Sequence, residues 1–281
     1  MLFDLRDITR HVDDCHAASV GPSSSLPKVT SDLLDVLHTV ADAVHVALGQ
    51  LDDWSLAGTR PGQYRSDLAA DEAALVILER AGLGVLSEES GLHHAERDVL
   101  VVMDPVDGST NADRGIPWYA TSLCAVDGEG PLAAVVANQA SGVRFEATRG
   151  GGASCEGVPL VPSGCGRLAD AIVGLSGYPS THLGWRQFRA LGAAALDLCA
   201  VAAGTLDAYI DCSLDAHGPW DYLGGAFVCQ EAGAAVADLH GRDLVALGYG
   251  DRRTVLAANS GALLTEVSEV RRKLVDGAAG P

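Results

Sequence analysis

The segment 104–111 carries residue types that could bind a metal ion and a phosphate together. It reads Asp-Pro-Val-Asp-Gly-Ser-Thr-Asn and follows Val99–Met103, an apolar run that predicts a buried strand. A turn after a strand can direct Asp104, the Val106 carbonyl and Asp107 to one point, and Mg²⁺ prefers such oxygen ligands. A helix starting directly after the second aspartate would offer its first amides to an anion. The segment therefore predicts a site where a cation and a phosphate meet.

Two other segments place carboxylates in similar positions. Ser-Glu-Glu-Ser at 87–90 follows the apolar pair 85–86, and Gly-Pro-Trp-Asp at 218–221 stands where a later helix is expected to begin. Taken alone, the segment 104–111 also fits an ordinary surface turn, because Pro, Asp, Gly and Ser are common turn residues. The two companions favour the chemical interpretation.

Together, the three segments resemble the signatures of the inositol monophosphatase family. Those signatures are a Glu-Glu-Ser strand end, an Asp-Pro-Ile-Asp-Gly-Thr-Thr-Asn segment and a late Trp-Asp-x-Ala-Ala-Gly, and they occur here in the same order. The resemblance covers residues 31–265. It implies a layered αβαβα sandwich of the inositol monophosphatase and fructose-1,6-bisphosphatase type, with an α+β half followed by an α/β half. It also implies a homodimer that hydrolyses a small phosphate monoester.

The same resemblance implies a set of cation ligands, with two or three Mg²⁺ ions as the cofactor. Glu88, Asp104 and the Val106 carbonyl would hold one ion. Asp104, Asp107 and Asp221 would hold a second, and Glu88 would help to hold a third.

Further roles follow from the resemblance. Ser109 stands in place of the family's water-activating threonine, Asp71 would be its acidic partner, and Glu88 completes the catalytic set. The amides of Gly108 and Ser109 would receive the phosphate. The other candidates for substrate contact are Asp107, Ala194, Asp211 and Asp221. Ala194 also fits helix packing, and Asp211 also fits a turn at a strand end.

Several alternatives remain open at the level of sequence. A histidinol-phosphate phosphatase, another specialised phosphatase of the family and a catalytically silent metal- or sugar-phosphate-binding homologue share the same signatures. A haloacid dehalogenase type is disfavoured, because it needs Asp-x-Asp and a lysine near the phosphate, whereas the only lysines are Lys28 and Lys273. Arg60 and Arg65 are both candidates to replace a lysine that the family often carries.

Composition limits the partners. The formal net charge is −18, from 37 acidic and 19 basic residues, which disfavours nucleic acid and anionic membranes. The few cations near the three segments also disfavour bisphosphates, since a second phosphate needs its own Arg or Lys. Seven cysteines without a C-x-x-C pair, and an N-terminus that lacks an apolar run, predict a cytoplasmic protein.

The pattern of apolar residues predicts three regions: a mobile lead-in at 1–30, an α+β domain at 31–155 and an α/β domain at 156–281. Predicted helices begin at Ser31 and at Asp67, and later ones cover 186–203 and 220–232. Predicted strands cover 85–86, 99–103, 120–126, 132–138, 143–147, 208–211, 234–238 and 255–258.

Overall fold

Two β-sheets organise the chain in the computed structural model, which describes residues 26–278. The strands of the first sheet are β1 (Gly84–Ser87), β2 (Gly91–His93), β3 (Leu100–Asp107), β4 (Ala120–Asp127), β5 (Gly130–Asn138), β6 (Arg144–Thr148), β7 (Gly152–Cys155) and β8 (Val158–Pro159). They lie in the order β2-β1-β3-β4-β5-β6-β7-β8. The second sheet contains β9 (Ile172–Ser176), β10 (Gln187–Arg189), β11 (Ala208–Asp211), β12 (Ala235–Asp238) and β13 (Val255–Ala258), in the order β10-β9-β11-β13-β12.

The helices form three layers around these sheets. They are α1 (Leu26–Gly49), α2 (Arg65–Arg80), α3 (Ser109–Asp113), α4 (Ala194–Ala202), α5 (Pro219–Glu231) and α6 (Gly261–Ala278). One core cluster joins α1 and α2 to the outer face of the first sheet. A second cluster places α4 and α5 between the sheets, and a third packs α6 on the far face of the second sheet. The predicted αβαβα sandwich is confirmed.

Strand β3 begins as an unbroken apolar run because helices pack on both of its faces. Val101 and Met103 belong to the core beneath α1 and α2, whereas Val102 belongs to the core beneath α4 and α5. Because successive side chains of a strand point to opposite faces, a strand with helices on both sides is apolar at every position. The apolar run ends at Asp104, which is itself buried, and the strand continues to Asp107.

The predicted helix at 186–203 is wrong in its first half. Gln187–Arg189 forms the exposed edge strand β10, and the helix begins only at Ala194. Gly192, with a φ of +87°, separates the two and adopts a backbone conformation that interrupts a helix. Sequence reasoning also did not predict β2, β7, β8, β9 or α6.

The structure describes part of the predicted N-terminal lead-in and both predicted domains. Residues 1–25 of the predicted lead-in lie outside the described residues, and α1 already includes residues 26–30, so Ser31 lies within this helix and not at its start. The boundary at residue 155 stays a prediction, and the first sheet continues to Pro159. Within residues 26–278, no helix combines the length and apolarity needed to cross a membrane.

Close packing of α5 on α4 generates a prediction about two glycines. A Cβ added at Gly225 would lie 2.7 Å from the Ala195 carbonyl oxygen and 2.8 Å from the Leu198 Cβ, whereas one at Gly261 would meet no atom within 4 Å. We expect Gly225→Ala to lower the free energy of unfolding by about 1–3 kcal/mol. Gly261→Ala, the matched control, should stay within about 0.5 kcal/mol of the parent or exceed it. Urea denaturation measures both, and equal stability of the two variants would contradict the packing argument.

Candidate metal and phosphate site

Parallel strand pairing brings two of the predicted carboxylates together. β1 runs parallel to β3 with Ser87 opposite Met103, and the Glu88 amide donates to the Met103 carbonyl at 3.1 Å. The carboxyl ends of parallel strands meet at one edge of a sheet. Glu88 and Asp104, which follow this pair, therefore lie beside each other.

The first turn of α5 supplies a third carboxylate. Pro219 opens the helix, and the Asp221 Oδ2 atom accepts a hydrogen bond from the Gly218 amide at 2.7 Å, which fixes the aspartate at the helix start. Glu88, Asp104 and Asp221 each offer one oxygen within 4.8 Å of the others. Three hard oxygen donors at this spacing fit a Mg²⁺ ion.

Asp107 links this cluster to the second half of the chain. Its Oδ2 atom accepts a hydrogen bond of 2.7 Å from the Ala195 amide, at the start of α4. A carboxylate at a helix N-terminus is stabilised by the helix dipole. Ala194, a candidate for substrate contact, is buried beside it, so the structure gives this alanine a place in the packing of the helix start.

The metal-free carboxylates repel one another. Burial, followed by the charge of Asp221, raises the pKa of Glu88 to about 8 and the pKa of Asp107 to about 8. Burial, followed by the charge of Glu88, raises the pKa of Asp104 well above its ordinary value. The raised pKa values of Glu88, Asp104 and Asp107 mean that the protonated carboxyls are favoured when no cation is bound. The donor set fits a divalent metal, which would neutralise these charges.

The loop at Gly108 has a left-handed backbone conformation and close backbone neighbours. Gly108 has a φ of +87°, and a Cβ there would lie 3.1 Å from the Gly192 and Trp118 carbonyl oxygens. Only glycine fits this conformation and this spacing. The loop opens α3 at Ser109, and the first amides of a helix have no acceptor within the helix. The Asn111 Nδ2 atom donates to the Trp118 and Leu191 carbonyls, at 2.7 Å each, and holds the loop in place.

A cavity of about 300 Å³ opens beside the carboxylates. Small-molecule sites span about 300–1,000 Å³, so this one suits a small substrate. Its lining residues are Arg60, Pro61, Gly62, Gln63, Asp67, Glu88, Glu89, Val106, Ser109, Trp220, Tyr249 and Arg252.

The two aspartates of α2 near the site, Asp67 and Asp71, differ in their position relative to the cavity. Asp71 does not line the cavity as the described residues form it, and its carboxylate accepts a hydrogen bond from the Ser87 hydroxyl. Asp67 lines the cavity together with Ser109, and burial raises its pKa to about 7. The two aspartates are one helical turn apart on the same face of α2, and the pattern of apolar residues could not separate them.

Asp211, the predicted substrate contact at the end of β11, is buried next to His217. Its side chain is 0% exposed, and its Oδ2 atom lies 3.7 Å from the His217 Nε2 atom. The His217 Nδ1 atom is 3.4 Å from the Asp221 Oδ2 atom. Although burial disfavours the charged imidazole, the hydrogen bond and charge of Asp221 and the charge of Asp211 raise the pKa of His217 to about 9. Asp211 is thus buried beside His217 and is not among the residues that line the cavity.

Of the two arginines proposed to replace the family lysine, Arg60 lines the cavity. Arg65 instead forms an exposed ion pair with Asp53 at 3.0 Å. Sequence reasoning missed Tyr249 and Arg252, which come from the loop before β13. The only available signal was the pair Arg252-Arg253 immediately before a predicted strand.

The sequence of this chain matches a known protein family over most of its length. The profile of the inositol monophosphatase family matches residues 65–275. This chain belongs to the inositol monophosphatase family.

Individual members of the family carry different names. Fructose-1,6-bisphosphatase of Pyrococcus furiosus is 30% identical over 242 residues, which is 83% of this chain and 94% of the relative. Inositol-1-monophosphatase of Mesorhizobium japonicum is 32% identical over 235 residues, 75% of this chain and 84% of the relative. Nus factor SuhB of Escherichia coli K12 is 31% identical over 208 residues, 68% and 75% of the two chains.

A solved structure of a Pyrococcus horikoshii protein with similarities to inositol-1-monophosphatase superposes with a TM-score of 0.75. Its sequence identity is 25%, and the match covers 88% of this chain and 99% of that one. The names support a family of phosphatases and leave the substrate of this chain open.

The repulsion among the carboxylates generates a prediction about stability and pH. Folded Glu88 keeps its proton up to about pH 8, while its ordinary pKa is 4.5. Because the folded state then binds more protons than the unfolded state, the stability of the metal-free protein should fall as pH rises through this window. Mg²⁺ should stabilise the protein more at about pH 8 than at about pH 6, as thermal denaturation would show.

Asp104→Asn provides the control for this experiment. Removing one buried charge should stabilise the metal-free protein at about pH 8 and abolish most of the gain from Mg²⁺. Metal-free stability that rises between about pH 6 and about pH 8 would contradict the assignment.

Proposed function

We propose that this protein hydrolyses small phosphate monoesters with Mg²⁺ as cofactor. The observation that carries the proposal is the cluster of Glu88, Asp104 and Asp221, whose oxygens lie within 4.8 Å of one another, next to the glycine loop at 108. A phosphate monoester is a dianion that resists attack by water. Its hydrolysis needs charge neutralisation, a positioned water and an anion site, and these residues are suited to supply them.

In the proposed mechanism, the carboxylates and one backbone carbonyl bind the metal ions. Glu88, Asp104, Asp107, Asp221 and the Val106 carbonyl would hold the ions. Bound Mg²⁺ supplies neutralisation of the phosphate oxygens and activation of water.

The protein itself orients the substrate and the water. The amides of Gly108 and Ser109 would donate to the phosphate and fix its position. The Ser109 hydroxyl would hold the attacking water, and Asp67, in place of Asp71, would accept a proton from that hydroxyl group or water. The raised pKa of Asp67 suits a group that takes up a proton near neutral pH.

Polyol, sugar and nucleoside monophosphates are the proposed substrate class, with histidinol phosphate as a specialised alternative. The family relationship supports a homodimer. The six cysteines among the described residues are all free thiols, which supports a cytoplasmic location.

The proposal is tested by measuring phosphate release from a panel of monoesters with and without Mg²⁺. Turnover should require Mg²⁺, stop in EDTA and be inhibited by Li⁺ and by excess Ca²⁺. Ca²⁺ prefers longer bonds and more ligands, so it should misplace the attacking water. Full turnover in EDTA would contradict the metal assignment, and no turnover of any ester with Mg²⁺ would favour the silent homologue.

Asp107→Asn should lower kcat by at least about 100-fold, because it removes a charge proposed to face the ions. The fold should persist, since the asparagine oxygen can still accept from the Ala195 amide. Asp113→Asn, the same change at the end of α3, is the control and should leave kcat near the parent value. Thermal denaturation of both variants separates a loss of activity from a loss of folding.

Asp67 and Asp71 can be distinguished by the same substitution at each position. Asp67→Asn should lower kcat by about 100-fold or more, as expected for loss of a general base. Asp71→Asn should cost less than about tenfold, because an asparagine can still accept from the Ser87 hydroxyl. A larger loss at Asp71 would restore the assignment made from sequence.

A further inference from the structure

Two arginines line the cavity, and their charges are used differently. The Arg60 Nη2 atom forms an ion pair with the Glu89 Oε2 atom at 2.6 Å, and that carboxylate is only 5% exposed. The Arg60 Nη1 atom also donates to the Glu88 carbonyl and to the Tyr249 hydroxyl. Its charge is therefore neutralised within the cavity wall, and Arg60 has a structural role there.

Arg252 has no such partner. Among the described side chains, those of residues 32–274, no carboxylate oxygen lies within 4.0 Å of a guanidinium nitrogen of Arg252. Its Nη1 atom donates to the carbonyls of Tyr249, at 2.9 Å, and Asp251, at 2.7 Å. A guanidinium has five N–H groups, so the Nε and Nη2 donors remain available. Arg252 thus carries an uncompensated charge and open donors.

The position of this guanidinium is fixed by packing. Its central carbon lies 5.1 Å from the centroid of the Trp220 ring, and Trp220 is 4% exposed. The same ring packs against Tyr249, with centroids 5.1 Å apart. Stacking on an aromatic face orients a guanidinium without satisfying its donors. Arg252 is therefore a preorganised cation in the wall of the cavity.

Trp220 immediately precedes Asp221, so this cation borders the carboxylate cluster. If it served to balance that cluster, an ion pair with one of the carboxylates would be expected, and none is found among the described residues. With the carboxylates engaged by Mg²⁺, the charge of Arg252 remains available to a ligand. A planar fork of N–H donors matches a carboxylate or a phosphate.

We propose that Arg252 binds a second anionic group of the substrate, a carboxylate or a second phosphate. The preferred substrates would then be small phosphate monoesters that carry two acidic groups. This inference rests on the proposed phosphatase activity. It replaces the sequence-based expectation that bisphosphates are disfavoured, because that expectation assigned no cation from the loop before β13 to the site.

The test uses matched pairs of esters that differ in one anionic group. Glycerol 3-phosphate is compared with 3-phosphoglycerate, and glucose 1-phosphate with glucose 1,6-bisphosphate, so that the two pairs distinguish a carboxylate from a phosphate. We expect the wild-type kcat/KM to favour the doubly anionic member of at least one pair by about tenfold or more, the range for a charge-assisted hydrogen bond. The difference should lie mainly in KM.

Variants then assign the preference to one residue. Arg252→Gln should abolish the preference, because kcat/KM for the doubly anionic ester should fall by about tenfold more than kcat/KM for its singly anionic partner, and Arg252→Lys should restore part of the preference. Arg253→Gln is the matched control, because the Arg253 side chain donates to the carbonyls of Asp243 and Arg252 and does not line the cavity. It should keep the full preference.

Three results would overturn the inference. They are a wild-type preference for the singly anionic esters, a preference that survives Arg252→Gln, and an equal loss on every ester, which would mean that Arg252 binds the reacting phosphate. Isothermal titration calorimetry with Ca²⁺ in place of Mg²⁺ measures the affinity for the same esters without turnover. If the protein hydrolyses none of the esters but binds the doubly anionic ones more tightly, and loses this preference in Arg252→Gln, the proposed activity is refuted and the Arg252 contact stands. If Arg252→Gln binds both members of each pair as the wild type does, the Arg252 contact is refuted.

Discussion

Repulsion among carboxylates is the constraint on which the candidate site depends. Glu88, Asp104 and Asp221 come from separate elements, and their oxygens are gathered within 4.8 Å of one another. Left to themselves, like charges separate and stay in water. Here the parallel pairing of β1 and β3 fixes two of them, and the first turn of α5 fixes the third. The backbone thus holds an arrangement that the side chains alone would not adopt, and a divalent cation would relieve it.

The site lies where the two halves of the chain meet, and polar contacts across this junction connect them. Asp107, from the first half, accepts from the Ala195 amide in the second. Asn111 donates to the Leu191 carbonyl, and the Tyr249 hydroxyl donates to the Glu88 carbonyl. Each of these contacts joins a residue of the proposed site, or its neighbour, to the opposite half. Assembly of the site therefore requires that the two halves pack against each other.

Much of this arrangement was predictable because it follows from local rules. The apolar run before Asp104 has the composition of a strand buried on both faces, and such a strand must end in polar residues at the edge of the layers. Glu88 and Asp221 could be placed at an adjacent strand end and at a helix start for similar reasons. The motifs and their order then identified the family, and the layered fold followed.

The rest could not be predicted because it depends on contacts between distant segments. Periodicity assigns Asp67 and Asp71 to the same face of α2, and only the direction of the helix toward the cavity separates them. The stretch before Ala194 is rich in helix-forming residues, yet Gln187–Arg189 pairs with β9. Arg252 reaches the cavity by stacking on Trp220, a contact without any sequence signature.

The close packing of α5 in the central layer also constrains the position of Asp221. Gly225 lies against α4 and Gly224 against the Ser122 hydroxyl of β4, so that α5 is wedged between a helix and a strand, with Asp221 in its first turn. Any change in the spacing of these layers would move Asp221 relative to the other two carboxylates of the cluster. The thickness of the hydrophobic core therefore affects the ionic radius that the three carboxylates can accommodate. A substitution that changes the volume of this core, even far from the carboxylates, would therefore also change how well they surround a cation of a given size.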